Sequence, residues 1–305
     1  MENRETLLSI CIPTNGIVEW VVPVIDSIYA QGVDNSLFEV VITDNGGKPE
    51  LAEAVQKYNH ENFRYYRTSS QGFTNQIDAF EKCNGVFCKM LNHRSKMNPG
   101  SIEAILNIVR KYQDKKPILY FAEGHAKGGE YIECANTDEF VHRLGIWTSW
   151  SCGTGVWKQD IKEICRKKVD TMFPHTVFLF ELREETEYVI WNGEYEVMAS
   201  DSGKGGYDLF QTFGVGFLDI LTGLRTRRRI SMDTFIGVKK ELLAFLEGLY
   251  VNEVVLPTEH TFIIGDVCKS MCVYYSKITY DKMVLKSWLK APFCYIKRIL
   301  KNAIS

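Results

Sequence analysis

The sequence lacks the hydrophobic segments that direct a chain to a membrane or through one. No apolar run reaches the roughly 20 residues that a helix needs to span a bilayer. The first residues, Met1 to Glu5, are largely charged and polar and contain no part of the long apolar stretch of a secretory signal. We therefore expect a cytoplasmic protein.

An excess of one charge and an ordered cysteine spacing are also missing. Lys and Arg number 36 against 38 Asp and Glu, a net charge of −2. A protein that binds a phosphate backbone usually has a strongly basic face, so no nucleic-acid partner is expected. The nine cysteines are scattered, and Cys268 and Cys272 have helical rather than zinc-site spacing. We expect reduced, mostly buried thiols.

Short apolar runs alternate with helical patterns through the first hundred residues. Four runs have the length and composition of buried strands: Leu7–Ile12, Phe38–Thr43, Phe63–Arg67 and Val86–Leu91. Strands that alternate with helices predict an α/β fold with a mostly parallel sheet and helices on both faces. Ligands of such sheets bind beyond the carboxyl ends of the strands. The loops that matter then begin at Thr14, Asp44, Arg67 and Asn92.

The pattern after residue 100 is less regular. An amphipathic helix is predicted over Ile102–Tyr112 and a strand over Pro117–Phe121. The polar, Gly-rich stretch 122–145 predicts a mobile loop or an acceptor-side insertion, and residues 190–197 predict a further strand. From about Asp208 the pattern is helical. We expect a first domain over residues 1–215 and a helical region over 216–305 that ends in a basic amphipathic tail.

Five fragments in a fixed order carry a resemblance to a known family. They are Ile12-Pro13-Thr14-Asn15-Gly16-Ile17, Ser27-Ile28-Tyr29-Ala30-Gln31, Asp44-Asn45-Gly46-Gly47, Gly72 with Asn75, and Asn92-His93-Arg94-Ser95 ahead of Pro99. Over residues 6 to about 215 this order resembles the inverting family two glycosyltransferases with the GT-A (Rossmann-like) fold. The middle of the sequence is similar to members that build bacterial surface polysaccharides. The resemblance implies a nucleotide half over about 1–100 and an acceptor half over 101–215.

The resemblance also implies a nucleotide-sugar site. Its residues are Pro13, Thr14, Asn15, Asp44, Arg67, Gly72, Asn75 and Asn92. Asp44 would accept a hydrogen bond from a uracil-like imide, and Arg67 would contact the diphosphate or the rim of the base. Two other interpretations stay open: Asp44 caps a tight turn, and Arg67 is a solvated surface residue.

The stretch Asn92 to Ser95 departs from the family. Family members have an Asp-x-Asp motif here, which holds a divalent cation that neutralises the departing nucleoside diphosphate. This chain has no carboxylate between Leu91 and Gly100, and Arg94 would repel a cation. We expect no metal cofactor. Either Arg94 and His93, with Lys96, supply the positive charge, or catalysis has been lost.

The general base is expected at the start of a helix that opens with Phe173-Pro174-His175. Family members place Glu-Asp there, whereas this chain has His175 and Thr176. A helix N-terminus disfavours the charged imidazole, which leaves a neutral His175 able to accept a proton. The competing interpretation is a structural histidine, in which case Glu181 or Asp170 is the base.

The segment 283–302 interleaves aromatic and aliphatic residues with five basic ones. This pattern is typical of a helix that lies on an anionic membrane, here its inner face. It fits equally a C-terminal helix packed on its own domain with the lysines in water.

These predictions combine into one functional hypothesis and two alternatives. The first is a glycosyltransferase that moves a sugar from a nucleoside-diphosphate donor to a saccharide or lipid-linked saccharide, with inversion and without a metal. The second is a binding or regulatory protein that keeps the fold without turnover. The third, a metal-dependent nucleotidyltransferase, requires carboxylates that these loops lack.

Overall fold

The computed structural model describes residues 6–183, 186–198, 205–257 and 261–304, the last four by their backbone alone. The chain divides into two compact units, Met1–Ser200 and Asp201–Ser305. The predicted boundary at 215 falls instead within one continuous helical segment that runs from Leu209 to Thr226.

A five-stranded sheet forms the centre of the first unit. Its strands are β1 (Leu8–Thr14), β2 (Phe38–Asp44), β3 (Phe63–Arg67), β4 (Phe87–Met90) and an edge strand, Gly155–Trp157, which is β8 in chain order. The order is β3-β2-β1-β4-β8, parallel throughout except for the antiparallel β8. The four predicted strands and their parallel arrangement are confirmed.

Both faces of this sheet are buried, which explains why its strands are apolar runs rather than alternating patterns. On one face, Ile10 and Val40 lie in a core that includes the helix residues Val24 and Ile25. On the other face, Val41 lies in a second core cluster. The helices of this unit are α1 (Val18–Tyr29), α2 (Glu50–Ala54), α3 (Asn75–Glu81), α4 (Ser101–Tyr112), α5 (Thr137–Leu144), α6 (Lys158–Ile164) and α7 (His175–Phe180).

Two smaller sheets complete the first unit. In one, β5 (Ser95–Met97) pairs antiparallel with β10 (Glu196–Met198). In the other, β6 (Ile118–Phe121) and β7 (Tyr131–Cys134) flank β9 (Tyr188–Trp191). The single strand predicted over 190–197 is therefore two strands in different sheets.

The segment 122–145 was predicted to be irregular, but it contains the strand β7 and the helix α5. Ile132 and Cys134 of β7 are buried in alternation with exposed neighbours. Side-chain hydrogen bonds close to a capping box start α5. Asn136 Oδ1, at the N-cap, accepts the Glu139 N–H at 3.0 Å, and the Glu139 carboxylate accepts the N–H of the preceding residue, Ala135, at 3.1 Å. The sequence patterns of this strand and this helix cap are each only a few residues long, and the nearby glycines favoured the interpretation as irregular structure.

The second unit is helical, as predicted. Its helices are α8 (Leu209–Gln211), α9 (Leu218–Thr226), α10 (Met232–Leu249), α11 (Val267–Met271) and α12 (Lys277–Ile304), with π-helical turns at Thr212–Phe217 and Tyr250–Val255. Within the described ranges, none of the helices is long and apolar enough to cross a membrane.

Candidate functional site

The sheet brings the predicted loops to one edge. Thr14 and Asp44 are the last residues of adjacent strands and stand opposite each other in the register. Arg67 is opposite Asp44 on the other side, and the loop that begins at Asn92 leaves β4 at the same edge. Because parallel strands all end at this edge, four short sequence motifs far apart in the chain become one surface.

Asp44 is the buried centre of this edge. Its Oδ1 accepts the Gly46 N–H at 2.7 Å, and its Oδ2 accepts the Tyr65 hydroxyl at 2.6 Å and an Arg67 N–H at 2.9 Å. A carboxylate has about four acceptor positions, so one remains unfilled. The side chain of Asp44 has no exposed surface, whereas that of Arg67 is 44% exposed. Asp44 is therefore closed to solvent in this structure, and Arg67 is its exposed hydrogen-bond partner.

Tyr65 was missed by the sequence analysis, which interpreted it only as part of a strand. Burial, and then its hydrogen bond to Asp44, raise the pKa of Tyr65 to about 12. The phenol therefore stays protonated and donates to the carboxylate at physiological pH.

Two glycine turns hold the first two loops against each other. Gly16 has a φ of +83°, and a Cβ there would lie 2.9 Å from Asp44 Oδ1. At Gly46 a Cβ would lie 2.1 Å from the carbonyl oxygen of Asn15. Only glycine permits this approach, which places the exposed Asn15 beside Asp44. Pro13, which lies two residues before Asn15 in the sequence, is part of β1 and stands opposite Thr43 of β2.

Asn75 ties the strand ends together. Its amide donates to the carbonyl oxygens of Thr43 at 2.8 Å and Thr14 at 3.3 Å, and its Oδ1 accepts the Thr68 hydroxyl at 2.9 Å. Asn75 is buried, so it positions the edge from beneath. Gly72 contributes its carbonyl oxygen, which accepts the Asn45 amide at 3.1 Å.

The loop from Asn92 turns tightly against α1. Asn92 Oδ1 accepts the Arg94 N–H at 3.0 Å, and the guanidinium carbon of Arg94 lies 5.1 Å from the centre of the Trp20 ring. His93 lies 5.2 Å from the same ring, and its Nδ1 is 3.0 Å from Thr14 Oγ1. Trp20, on the first turn of α1, is a second residue that the sequence analysis missed.

His93 does not supply the positive charge proposed for it. Burial, and then the neighbouring Arg94 guanidinium, lower the pKa of His93 to about 3. The imidazole is therefore neutral near pH 7. Of this predicted pair, Arg94 alone is a cation.

These residues do not fit a divalent cation. Asn92 offers one neutral oxygen, already hydrogen-bonded to the Arg94 backbone, and the Arg94 guanidinium follows it. Among the residues that the structure describes, no three His, Cys, Asp or Glu side chains are grouped to hold a metal ion.

His175 is placed differently from the other predicted residues. It is the first residue of α7 and is buried. Burial lowers the pKa of His175 to about 4, although the adjacent Thr148 and Ser149 backbone raises it. Of the two alternative bases, Asp170 accepts the N–H groups of Met172 and Phe173, each at 2.8 Å, and Glu181 is exposed at the end of α7.

A cluster of one buried lysine and two half-buried glutamates, Lys89, Glu123 and Glu196, was not predicted beside the Asn92 loop. Lys89 is 1% exposed, and its ammonium donates to the carbonyl oxygens of Met90 at 3.1 Å and Cys152 at 3.2 Å. Glu123 Oε2 accepts the N–H groups of Tyr195 at 2.7 Å and Glu196 at 3.1 Å. These bonds stabilise a φ of +50° at Glu123, a costly backbone conformation for a residue with a side chain.

Glu196 is the titratable member of this cluster. Burial raises the pKa of Glu196 to about 7; the Lys89 ammonium opposes this rise, Glu123 adds to it and the Ser95 hydroxyl opposes it. Its Oε2 is buried without a hydrogen-bond partner in the described chain. Glu196 stands opposite Met97 in the β5–β10 ladder, and its carboxylate accepts a hydrogen bond from the Ser95 side chain, so the carboxyl group adjoins the loop that carries Arg94.

Part of the chain matches glycosyl transferase family 2. The match covers residues 9–123, which contain the four parallel strands from Ser9 onward and the loops that begin at Thr14, Asp44, Arg67 and Asn92. The resemblance noted in the sequence is confirmed over these residues. A comparison with curated protein sequences gives no match.

Solved structures with a similar fold include TarS from S. aureus. The fragment TarS 1–349 is 12% identical with a TM-score of 0.55, over 82% of this chain and 75% of that one. The same fragment in complex with UDP-GlcNAc is 12% identical with a TM-score of 0.54, over 80% of this chain and 73% of that one. At these identities the likeness shows the fold, which confirms the GT-A architecture.

Proposed function

We propose that this protein transfers a sugar from a nucleoside-diphosphate donor to a saccharide hydroxyl, with inversion and without a metal ion. The observation that carries the proposal is the edge where Thr14, Asp44 and Arg67 meet. The loop that carries Arg94, the cation in place of the acidic motif of the family, contacts this edge through His93 and Thr14. The family match over this edge supports the proposal, as does the likeness to a protein solved with UDP-GlcNAc.

The donor that fits best is a uridine diphosphate sugar. The unfilled acceptor position of Asp44 suits the N–H of a uracil imide, and the half-exposed Arg67 covers that position. When the base enters, Arg67 turns from Asp44 towards the incoming nucleotide, where its planar fork matches a phosphate.

Arg94 and His93 stabilise the leaving diphosphate in different ways. Arg94 supplies a fixed charge, held over the Trp20 ring. Thr14 Oγ1 accepts the Gly16 N–H at 3.1 Å, so its own hydrogen is available for His93 Nδ1. That assignment leaves a hydrogen on Nε2, and the neutral imidazole donates it to a phosphate oxygen.

Glu196 suits the role of general base better than the predicted His175. A base must reach the acceptor hydroxyl and works best with a pKa near the operating pH. Neither side chain is exposed, but Glu196 adjoins the loop that carries Arg94, and its pKa of about 7 lies closer to neutral pH than the pKa of about 4 of His175. The acceptor oxygen forms its bond to the anomeric carbon as its proton passes to the Glu196 carboxylate. The bond from that carbon to the diphosphate oxygen breaks, and the diphosphate leaves with the electron pair.

The alternative function is nucleotide-sugar binding without turnover. It is favoured by the replacement of both acidic motifs of the family, at Asn92–Ser95 and at His175–Thr176.

A panel of nucleotide sugars separates these functions. We expect binding of uridine diphosphate sugars and slow donor hydrolysis at the same rate with and without a chelator. Hydrolysis that stops on chelation overturns the metal-independent mechanism. Binding without hydrolysis or transfer to any saccharide acceptor selects the alternative, and no binding across the panel rejects both.

A further inference from the structure

The helix α12 (Lys277–Ile304) is attached to its unit through a narrow face. Met283, Ser287 and Ala291 are buried and recur every four residues, the spacing that places side chains on one side of a helix. Of these three only Met283 is a large apolar residue. This helix therefore uses little of its apolar surface for packing.

Its opposite face is apolar and open to solvent. The large side chains along it, each at least half exposed, are Leu285, Trp288, Leu289, Phe293, Ile296 and Ile299. Steps of three and four residues place these six side chains in one stripe along the helix, the apolar face of α12. Single exposed apolar residues are ordinary on a protein surface, but a contiguous stripe of this length marks an interaction site.

Basic residues border the apolar face. Lys286, Lys290 and Lys297 follow one flank at helical spacing. From Lys277 to Leu300 the helix has six Lys or Arg residues and a single acidic one, Asp281. The Lys290 ammonium pairs with the Glu247 carboxylate of the same unit, whereas Lys286 and Lys297 are exposed.

We propose that the apolar face of α12 docks on an anionic lipid surface, with the helix lying in the plane of the interface. A row of lysines beside a stripe that includes Trp and Phe is complementary to such a surface. Charge selects lipid over a second copy of this chain, because a second copy would bring another basic flank and no free acidic residue: Asp281, the one acidic residue from Lys277 to Leu300, already pairs with Lys277. The proposed helix lies on the bilayer surface, which agrees with the finding that no described helix is long and apolar enough to cross a membrane.

Flotation with lipid vesicles tests the docking directly and needs no sugar substrate. The full chain is mixed with vesicles of neutral phosphatidylcholine, or of phosphatidylcholine with roughly a third of anionic phosphatidylglycerol. We expect firm binding to the anionic vesicles, weaker binding to the neutral ones, and a loss of binding as salt is raised.

Variants of the apolar face should lose this binding. Leu289→Ser with Phe293→Ser should weaken vesicle binding by at least about tenfold, because each change removes apolar area from the contact. Ile236→Ser is the matched control, since Ile236 is similarly exposed but lies on α10. All three side chains are exposed, so circular dichroism and the melting temperature should not change. Lys286→Gln with Lys297→Gln should weaken only the binding to anionic vesicles.

Three outcomes overturn the proposal. One is the absence of vesicle binding by the folded wild type. Another is equal binding to both kinds of vesicle at low salt. The third is a wild type that dimerises without lipid, more tightly in high salt, and becomes monomeric in the Leu289→Ser, Phe293→Ser variant; that result assigns the apolar face to a second copy. Vesicle binding and oligomeric state are measured without any sugar substrate, so they test the docking surface even if the protein does not turn over nucleotide sugars.

Discussion

At the scale of single residues, Arg94 is the cation that we assign to the leaving diphosphate. His93 beside it is neutral because burial lowers its pKa. We predict that Arg94→Ala lowers kcat by about 10² to 10³-fold, since one preorganised group aimed at a developing charge contributes about 3–4 kcal/mol. Steady-state kinetics of donor hydrolysis or transfer measure this loss, and Arg94→Lys should recover part of it.

Arg67→Ala is the matched control for Arg94. Arg67 contacts Asp44 at the predicted base end of the site, so its removal should raise KM for the donor more than it lowers kcat. Equal losses of kcat in the two variants would contradict the assignment of Arg94 to the leaving group.

The two candidate bases predict different pH profiles. Glu196 has a pKa raised to about 7, and a base works only when deprotonated. Turnover through Glu196 therefore rises about tenfold per pH unit below about 7 and levels off above it. The pKa of His175 is lowered to about 4, so turnover through His175 would be flat from about pH 5 upward. The pH dependence of kcat/KM decides between them.

Substitutions sharpen this comparison. Glu196→Gln should abolish the rise with pH and most of the turnover, whereas His175→Gln should keep the profile. Compared with the wild type, Glu196→Gln should have a higher melting temperature at pH 8, and this difference should be smaller at pH 5. A native pKa above that of the unfolded chain means that ionisation costs stability as pH rises between the two values, and glutamine does not ionise. An unchanged profile in Glu196→Gln would exclude this residue as the base.

At the scale of elements, the turns that follow β1 and β2 fix the site through the contact of Gly46 with Asn15. We predict that Gly46→Ala destabilises the protein by about 2 kcal/mol, because the new Cβ meets a backbone oxygen that cannot give way cheaply. Gly47→Ala is the matched control: a Cβ at Gly47 meets nothing within 4 Å. Urea unfolding measures both, and equal stabilities would show that the turns adapt freely.

The elements that the sequence predicted well are those with long, unambiguous patterns. The buried runs of β1 to β4 and the amphipathic helix over Ile102–Tyr112 are decided locally, by apolar periodicity. The helix that opens with Phe173-Pro174-His175 is short and spans only His175–Phe180. Short elements such as β5 and β10 depend on pairing between segments about a hundred residues apart, which no local pattern encodes.

The candidate site follows the same division. The placement of Thr14, Asp44 and Arg67 at one edge could be predicted because parallel strands end together. The contacts of Tyr65, Trp20 and Glu196 with this edge could not, since they form only when distant segments meet. One signal was available: Lys89 interrupts the apolar run Val86–Leu91, and a lysine buried in a strand requires polar partners nearby.

At the scale of the whole molecule, the two proposed binding surfaces belong to different compact units. The nucleotide edge is built within Met1–Ser200, and the apolar face of α12 lies within Asp201–Ser305. Changes at separate sites without shared partners usually have additive effects. The two activities should therefore be separable by substitution.

We predict a double dissociation between variants of the two surfaces. Asp44→Asn should weaken donor binding by at least about tenfold, because the amide replaces an acceptor oxygen that the imide and Tyr65 need, and should leave vesicle binding unchanged. The Leu289→Ser, Phe293→Ser variant should bind the donor normally but lose vesicle binding. Titration calorimetry with uridine diphosphate and vesicle flotation measure the two properties on the same preparations. If either variant impaired both, the surfaces would be coupled and the assignment of one function to each unit would be wrong.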